Sequence, residues 1–259
     1  MKKHYRSTVW WVLVSAALSG MTAARSNAQT NGATTIAVLN FENNSVVDRE
    51  KLDPLKKGLA DMLITEMSKI NGLKVVERQQ IQSVVDELNL SESDMVDKNT
   101  SQKMGRLLGA KVLLFGGFSN LFGDKLRIDA RIVSTETGVT LKAEEETGDL
   151  DEFLSLLNAL VRDIAKDLEV KLSSIDEDRL GSAGDGKFNG YVTYAQAVNM
   201  EDAARKLSKD GKQTDALAMY ENARTTYQKA FAESNGYQPA KQKADEMAQI
   251  IAQMKKDAK

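Results

Sequence analysis

KVLLFGGFSNLFGDKLRIDARIVSTETGVTLKA, residues 111–143, holds two hydrophobic patterns in succession, and the change between them decides the fold. Residues 111–118 form a continuous apolar run with two glycines. This suits a central strand covered on both faces, with another backbone approaching closely at Gly116 and Gly117. A phosphate-binding loop is the sharper alternative, but the Gly-Lys-Ser/Thr ending is missing. Further on, Leu126, Ile128, Ala130 and Ile132 alternate with Arg127, Asp129 and Arg131, and Val139, Leu141 and Ala143 repeat the alternation. Each of these strands therefore has one buried and one wet face. Residues 120–124 and 135–138 are the turns of a three-stranded antiparallel meander. The Arg, Asp, Lys and Glu side chains on its outer face read as cross-strand charge pairs rather than as a ligand site.

Upstream, residues 35–41 (TIAVLNF) form a β-branched apolar run that ends in turn formers and read as a buried strand. After Pro54, apolar residues from Leu55 to Ile70 recur at steps of three and four, and Asn71-Gly72 stops the pattern. This predicts an amphipathic helix. Leu73 to Val76 gives a second short strand, and Ile81, Val84, Val85 and Leu88 mark another helix face. Strand, helix, strand in that order allows parallel pairing through a right-handed crossover. A polar, acidic stretch over 91–103 reads as a long loop, with a helix resuming near Thr100 and stopping at Gly109.

Downstream, Leu150, Phe153, Leu154, Leu157, Leu160, Val161, Ile164 and Leu168 form a stripe that can cover the sheet. The fold class is therefore α/β in the α+β sense, with a mixed sheet of about five strands and packed helices over 34–172. Residues 173–190, rich in Ser, Gly and Asp, have a linker composition. Gly184, Gly186 and Gly190 follow no strand and so do not make a nucleotide site. Residues 191–259 are helical in pattern, with a polar turn at 209–212 and a third helix from Gln238.

Residues 1–28 read as an export signal: basic Lys2, Lys3 and Arg6, an apolar stretch from Val9 to about Ala24, and small residues Ser26 and Ala28 ahead of Gln29. Cleavage is expected between Ala28 and Gln29, with a second point near Ala23 or Ala24 as an alternative. The chain has no cysteine, and its one histidine, His4, lies inside this signal. The mature protein therefore has no imidazole base, no thiolate and no zinc ligand set, and the usual triads are excluded. Cleavage takes four of the 35 basic side chains and none of the 37 acidic ones, which leaves a net charge near −6 and argues against general nucleic-acid binding. About 230 residues can bury a core without disulfides.

With this order of elements, residues 36–43 (IAVLNFEN), 58–67 (GLADMLITEM), 73–78 (LKVVER), 107–118 (LLGAKVLLFGGF) and 130–138 (ARIVSTETG) resemble the curli assembly and transport component CsgG family. The layout is similar to FlgO, TolB N-terminal and LpoB domains. The resemblance implies a periplasmic domain of the anticodon-binding-domain fold, used for protein contacts rather than catalysis. The helix-turn-helix lengths of 191–259 resemble a tetratricopeptide repeat. The chain lacks the lipidated cysteine of CsgG. Its connections between Leu113 and Thr147 are too short for membrane hairpins, because each barrel strand needs ~9–11 lipid-facing residues.

These readings set the functional expectations. The main one is a non-enzymatic protein of the outer membrane-bounded periplasmic space, peripheral to the outer membrane. It acts in secretion or envelope assembly through envelope or outer-membrane proteins or as a homo-oligomer. The alternatives are an oligomeric secretion channel of the curli-export type and an LpoB-like regulator of cell-wall synthesis. No cofactor, metal, nucleic acid or small-molecule substrate is expected. A hydrolase would need paired carboxyls around a cleft, and Asp94 with Asp97 or Glu144 with Glu146 supply only the residue type. Glu77 and Arg78 lie in the most recognisable motif, at a strand-to-helix junction that suits a cap or a surface ion pair. Gly109 and Gly116 are best explained by backbone geometry.

Overall fold

The computed structural model describes residues 33–90, 97–120, 123–181 and 186–258. The export signal and its expected cleavage at Ala28 and Gln29 lie outside these residues, as does Asp94. Five strands, β1 (Thr34–Asn43), β2 (Leu73–Val75), β3 (Val112–Asn120), β4 (Lys125–Ser134) and β5 (Thr140–Asp149), form one mixed sheet in the order β2-β1-β3-β4-β5. β1 runs parallel to β2 and β3, while β3, β4 and β5 form the antiparallel meander that the alternation predicts.

The short helix α1 (Arg49–Leu52) and α2 (Leu55–Met67) make the crossover from β1 to β2. α3 (Arg78–Leu88) and α4 (Lys98–Leu108) lead into β3. Gly109 caps α4 at φ 61°, the left-handed conformation that glycine adopts without strain. A Cβ on Gly116 would lie 1.8 Å from the Asp129 carbonyl oxygen, so β3 and β4 approach each other closely at that point.

The core side of the meander carries Leu126, Ile128, Ala130 and Ile132, all at most 1% exposed. α5 (Phe153–Asp167) covers it with Phe153, Leu154, Leu157, Leu160, Val161 and Ile164. α2 departs from simple amphipathicity. Its apolar stripe packs on β1, but Gly58, Ala60, Asp61 and Glu66 are buried as well, because α7 lies along its other side. A helix covered on two sides buries residues all round. α2 also ends at Met67 rather than near Ile70, and Gly72 at φ 98° completes the turn into β2.

Within the linker-like stretch 173–190 the chain forms α6 (Ser174–Gly181). Ser173 and Asp176 cap each other: the Ser173 backbone N–H (2.9 Å) and Oγ (2.7 Å) donate to Asp176 Oδ2, and the Asp176 N–H donates to Ser173 Oγ at 3.2 Å. Asp176 Oδ1 also accepts from the Asn71 backbone N–H (3.1 Å) and Nδ2 (2.9 Å), which fastens α6 to the turn after α2. Such a reciprocal cap satisfies amide donors that a helix start otherwise leaves open.

The remaining helices are α7 (Phe188–Lys209), α8 (Gln213–Glu233) and α9 (Gln238–Asp257). α7 pairs with α8 and α8 with α9, and α7 docks on α2. Residues 31–259 thus form one compact unit. A Cβ on Gly58 would come within 2.2 Å of the Ala195 Cβ, so the α2–α7 contact depends on a missing side chain. An aromatic cluster extends the contact: Phe153 of α5 meets Phe188 and Tyr191 of α7 at ring distances of 5.3 and 5.0 Å, and Tyr194 meets Tyr227 and Tyr237 at 5.3 Å. Each such pair contributes ~0.5–1.5 kcal/mol beyond its burial.

Candidate functional site

Where α7 crosses α2, the junction is charged as well as apolar. Asp61 lies on the α7 side of α2, Arg78 opens α3, and Glu201, Asp202 and Arg205 lie on α7. They share the wall of a cleft of about 690 Å³ that Lys69, Glu77, Tyr237, Lys243 and Glu246 help to line.

Arg78 holds the cluster together. Its Nη2 donates to Asp202 Oδ2, and its Nε lies 3.5 Å from Asp61 Oδ1. Lys57 Nζ reaches the same Asp202 oxygen at 3.0 Å. Tyr194 Oη donates to Asp61 Oδ2 at 2.5 Å. On α7, Glu201 Oε1 accepts from Arg205 Nη2 at 2.6 Å and Oε2 accepts from Tyr227 Oη at 2.7 Å, with Lys243 Nζ 3.6 Å away.

The protonation states follow from this packing. Burial alone would lower the Arg78 pKa, but Asp202 and Asp61 outweigh it and the net shift is upward. Burial raises Glu201, yet Lys243, Arg205 and Tyr227 together bring it below its ordinary value. Burial, with Asp61 beside it, pushes the Tyr194 hydroxyl well above its usual range and keeps it a donor. Every cation named here has an acid partner, so the cations of the cleft wall are neutralised in place. Such pairs contribute little net stability against apolar packing, but removing one partner costs ~3–5 kcal/mol.

Glu77 and Arg78 thus differ from the surface pair that their sequence position suggests. Glu77 is exposed at the cleft, whereas the Arg78 side chain is only 12% exposed and pairs with Asp61 and Asp202 instead. Asp97 caps α4: its Oδ1 accepts from the Asn99 and Thr100 amides at 2.9 and 3.1 Å. Glu144 and Glu146 stand on β5 against Asp167 and Asp163 of α5, away from the cleft. Among the described residues no group of three or more acidic or histidine side chains could hold a metal ion, and no helix is long and apolar enough to cross a membrane. The sequence reading missed Asp61, Asp202 and Glu201. Their one visible sign is acids placed among the apolar residues of helices.

Fold and cleft define a mixed α/β sheet domain onto which a set of long helices is fastened by buried, paired charge. Residues 17–122 match the family model described as curli production assembly/transport component CsgG, the family that the motifs resemble. That match supports an envelope-associated protein. The chain is also similar to the putative adenylate cyclase 3 of Rhizobium meliloti (strain 1021), 29% identical over 149 residues, or 58% of this chain. It spans only 23% of that protein's length. Among solved structures, it is similar to the LpoB C-terminal domain from Salmonella enterica, with 19% identity over 46% of this chain and 84% of the other and a TM-score of 0.31. Lipoprotein GNA1162 from Neisseria meningitidis gives 16% identity, 54% and 99% coverage and a TM-score of 0.38.

Proposed function

We propose that this is a non-enzymatic, exported protein of the periplasmic space, held at the outer membrane by partner proteins and acting in secretion or envelope assembly through protein contacts. The CsgG-family match over residues 17–122 carries this reading. The paired state of the cleft supports it. Arg78, Glu201 and Tyr194 are each tied to a fixed structural partner, whereas catalysis calls for a group whose proton or charge is available to a substrate. The domain boundaries that accompany this reading are a sheet domain over 34–172 and a helical region over 191–259. The cyclase name belongs to a protein of which this chain spans less than a quarter.

The channel alternative has to find membrane strands. β4 and β5 are already committed to the sheet, where β4 puts its apolar face under α5. In-cell photocrosslinking from positions on the exposed faces of α8 and α9, followed by mass spectrometry, tests the proposal. Reproducible crosslinks to an envelope protein are expected, and their absence from every position counts against it.

A further inference from the structure

Strand β5 is the long free edge of the sheet. β4 pairs along one side of it and α5 crosses one face. Residues 140–143, together with Glu145, Thr147 and Asp149, are exposed. The opposite edge, β2, is only three residues long. An exposed edge of ten residues presents a row of backbone donors and acceptors to any extended chain of suitable chemistry.

The side chains of β5 select that chemistry. Glu144 and Glu146 share the α5 side of the sheet with Ala130 and Ile128, their opposite numbers on β4. There they face further acids: Glu144 lies beside Asp167, and Glu146 beside Asp163. Lys142, 3.5 Å from Asp167, is the cation that joins them. Asp167 Oδ2 is buried without a hydrogen-bond partner. Both Glu144 and Glu146 are held above their ordinary pKa, Glu144 first by sharing a proton with the neighbouring Asp167 carboxyl and Glu146 first by desolvation. Negative charge is therefore crowded on the α5 side of this edge, whereas on its other side Glu145 and Asp149 pair with Arg127 and Lys125. Val139 and Leu141, each about half exposed, add an apolar foothold where the strand begins.

We infer that the β5 edge is a docking strand for a basic, extended segment of a partner protein, which adds a sixth strand to the sheet and sets alternate cationic side chains beside Glu144 and Glu146. Side chains alternate faces along a strand, so a partner with a cation at every second residue places them all on the acidic side. A second copy of this chain is a poorer occupant than a basic segment because its β5 brings one lysine, Lys142, with the four acids Glu144, Glu145, Glu146 and Asp149, and like charges directly opposite are destabilising. The inference rests on the reading of this protein as one that works by contacts.

The probe is a dye-labelled, end-blocked peptide of about ten residues, matching the strand, that alternates lysine with valine and threonine. Its binding is read by fluorescence anisotropy. The wild type should bind it. The Glu144→Gln/Glu146→Gln double variant should weaken binding about tenfold or more, as expected when charge complementarity is removed. N-methylation of alternate peptide amides should weaken it similarly, because β-addition depends on main-chain hydrogen bonds. Ala143→Pro should reproduce the loss from the protein side, and the two glutamine substitutions preserve shape if the proline variant unfolds. Absence of binding to the wild type overturns the proposal. So does equal binding of the N-methylated peptide, which would mean charge alone, and so does a dimer joined through β5. The two readings fail separately. Partner crosslinks that persist unchanged in the double variant overturn the docking edge and leave the contact reading standing. Specific peptide binding without crosslinks in cells does the reverse.

Discussion

Replacing Arg78 by leucine takes away the cation that Asp61 and Asp202 share; Asp202 keeps Lys57, but Asp61 is left at the junction of α2 and α7 with the Tyr194 hydroxyl and without its cation. The expected loss is about 3 kcal/mol, set by the uncompensated charge rather than by the lost bond. In a domain of this size the melting temperature then falls by roughly 6–12 °C, readable by calorimetry. Tyr194→Phe is milder. It removes the donor to Asp61 Oδ2, and a hydrogen bond to a charged group contributes about 1.5–3 kcal/mol. If both variants melt with the wild type, the buried charge does not fasten the junction. The motif around Arg78 was legible in the sequence, but its partners were not. Asp202 lies 124 positions away, and no local pattern distinguishes an acid paired across that distance from one that faces water.

At the level of elements, the same glycine rule applies at two contacts. Gly58→Val puts branched carbon where Ala195 already sits, and Gly116→Val drives a methyl into the Asp129 carbonyl. Overpacking of this kind costs about 1–3 kcal/mol. Gly58→Val should loosen α7 selectively, seen as faster amide exchange along α7 with the sheet still protected. Gly116→Val should loosen the pairing of β3 with β4. The strands and the antiparallel meander were readable because alternation and apolar runs are local signals, and the meander turns fell where the pattern broke. α6 was harder to see. Its Ser-x-x-Asp cap at Ser173 and Asp176 was present in the sequence, but the surrounding Ser, Gly and Asp composition reads as linker. β5 is half legible: its alternation shows, whereas the acids of α5 that face Glu144 and Glu146 become neighbours only when the sheet is covered.

The β5 pairs give the pH dependence a definite sign. Glu144 and Glu146 titrate above their ordinary values when folded. The stabilisation tied to their protonated forms is therefore complete below the ordinary carboxylate range and is lost as pH rises through the raised folded values. At neutral pH the pairs repel. Glu144→Gln/Glu146→Gln should then raise the melting temperature by on the order of 1–3 °C at pH 7, in line with cross-strand pair energies, and the gain should vanish near pH 4. Unchanged stability at both pH values would mean that solvent or Lys142 already neutralises the cluster. Glu201 acts in the opposite sense: its folded pKa is depressed, so its contribution is present above the ordinary carboxylate range and is lost as pH falls through the lowered value.

Taken whole, the sheet and the long helices act as one unit because α2 is covered on both sides, by β1 and by α7, with charge buried on the α7 side. That arrangement leaves outer faces of α8, α9 and β5 exposed and pairs β4 with β5 in the sheet. The resemblance of residues 17–122 to the CsgG model was recognisable from motifs, but the docking of the helices was not, because it depends on pairings such as Lys57 with Asp202 that join distant parts of the chain. Light scattering of residues 29–259, with and without detergent, tests the central claim most directly. The predicted result is a monomer or small oligomer whose mass is the same in both conditions. A large ring that forms only in detergent would contradict it and make the protein a membrane channel.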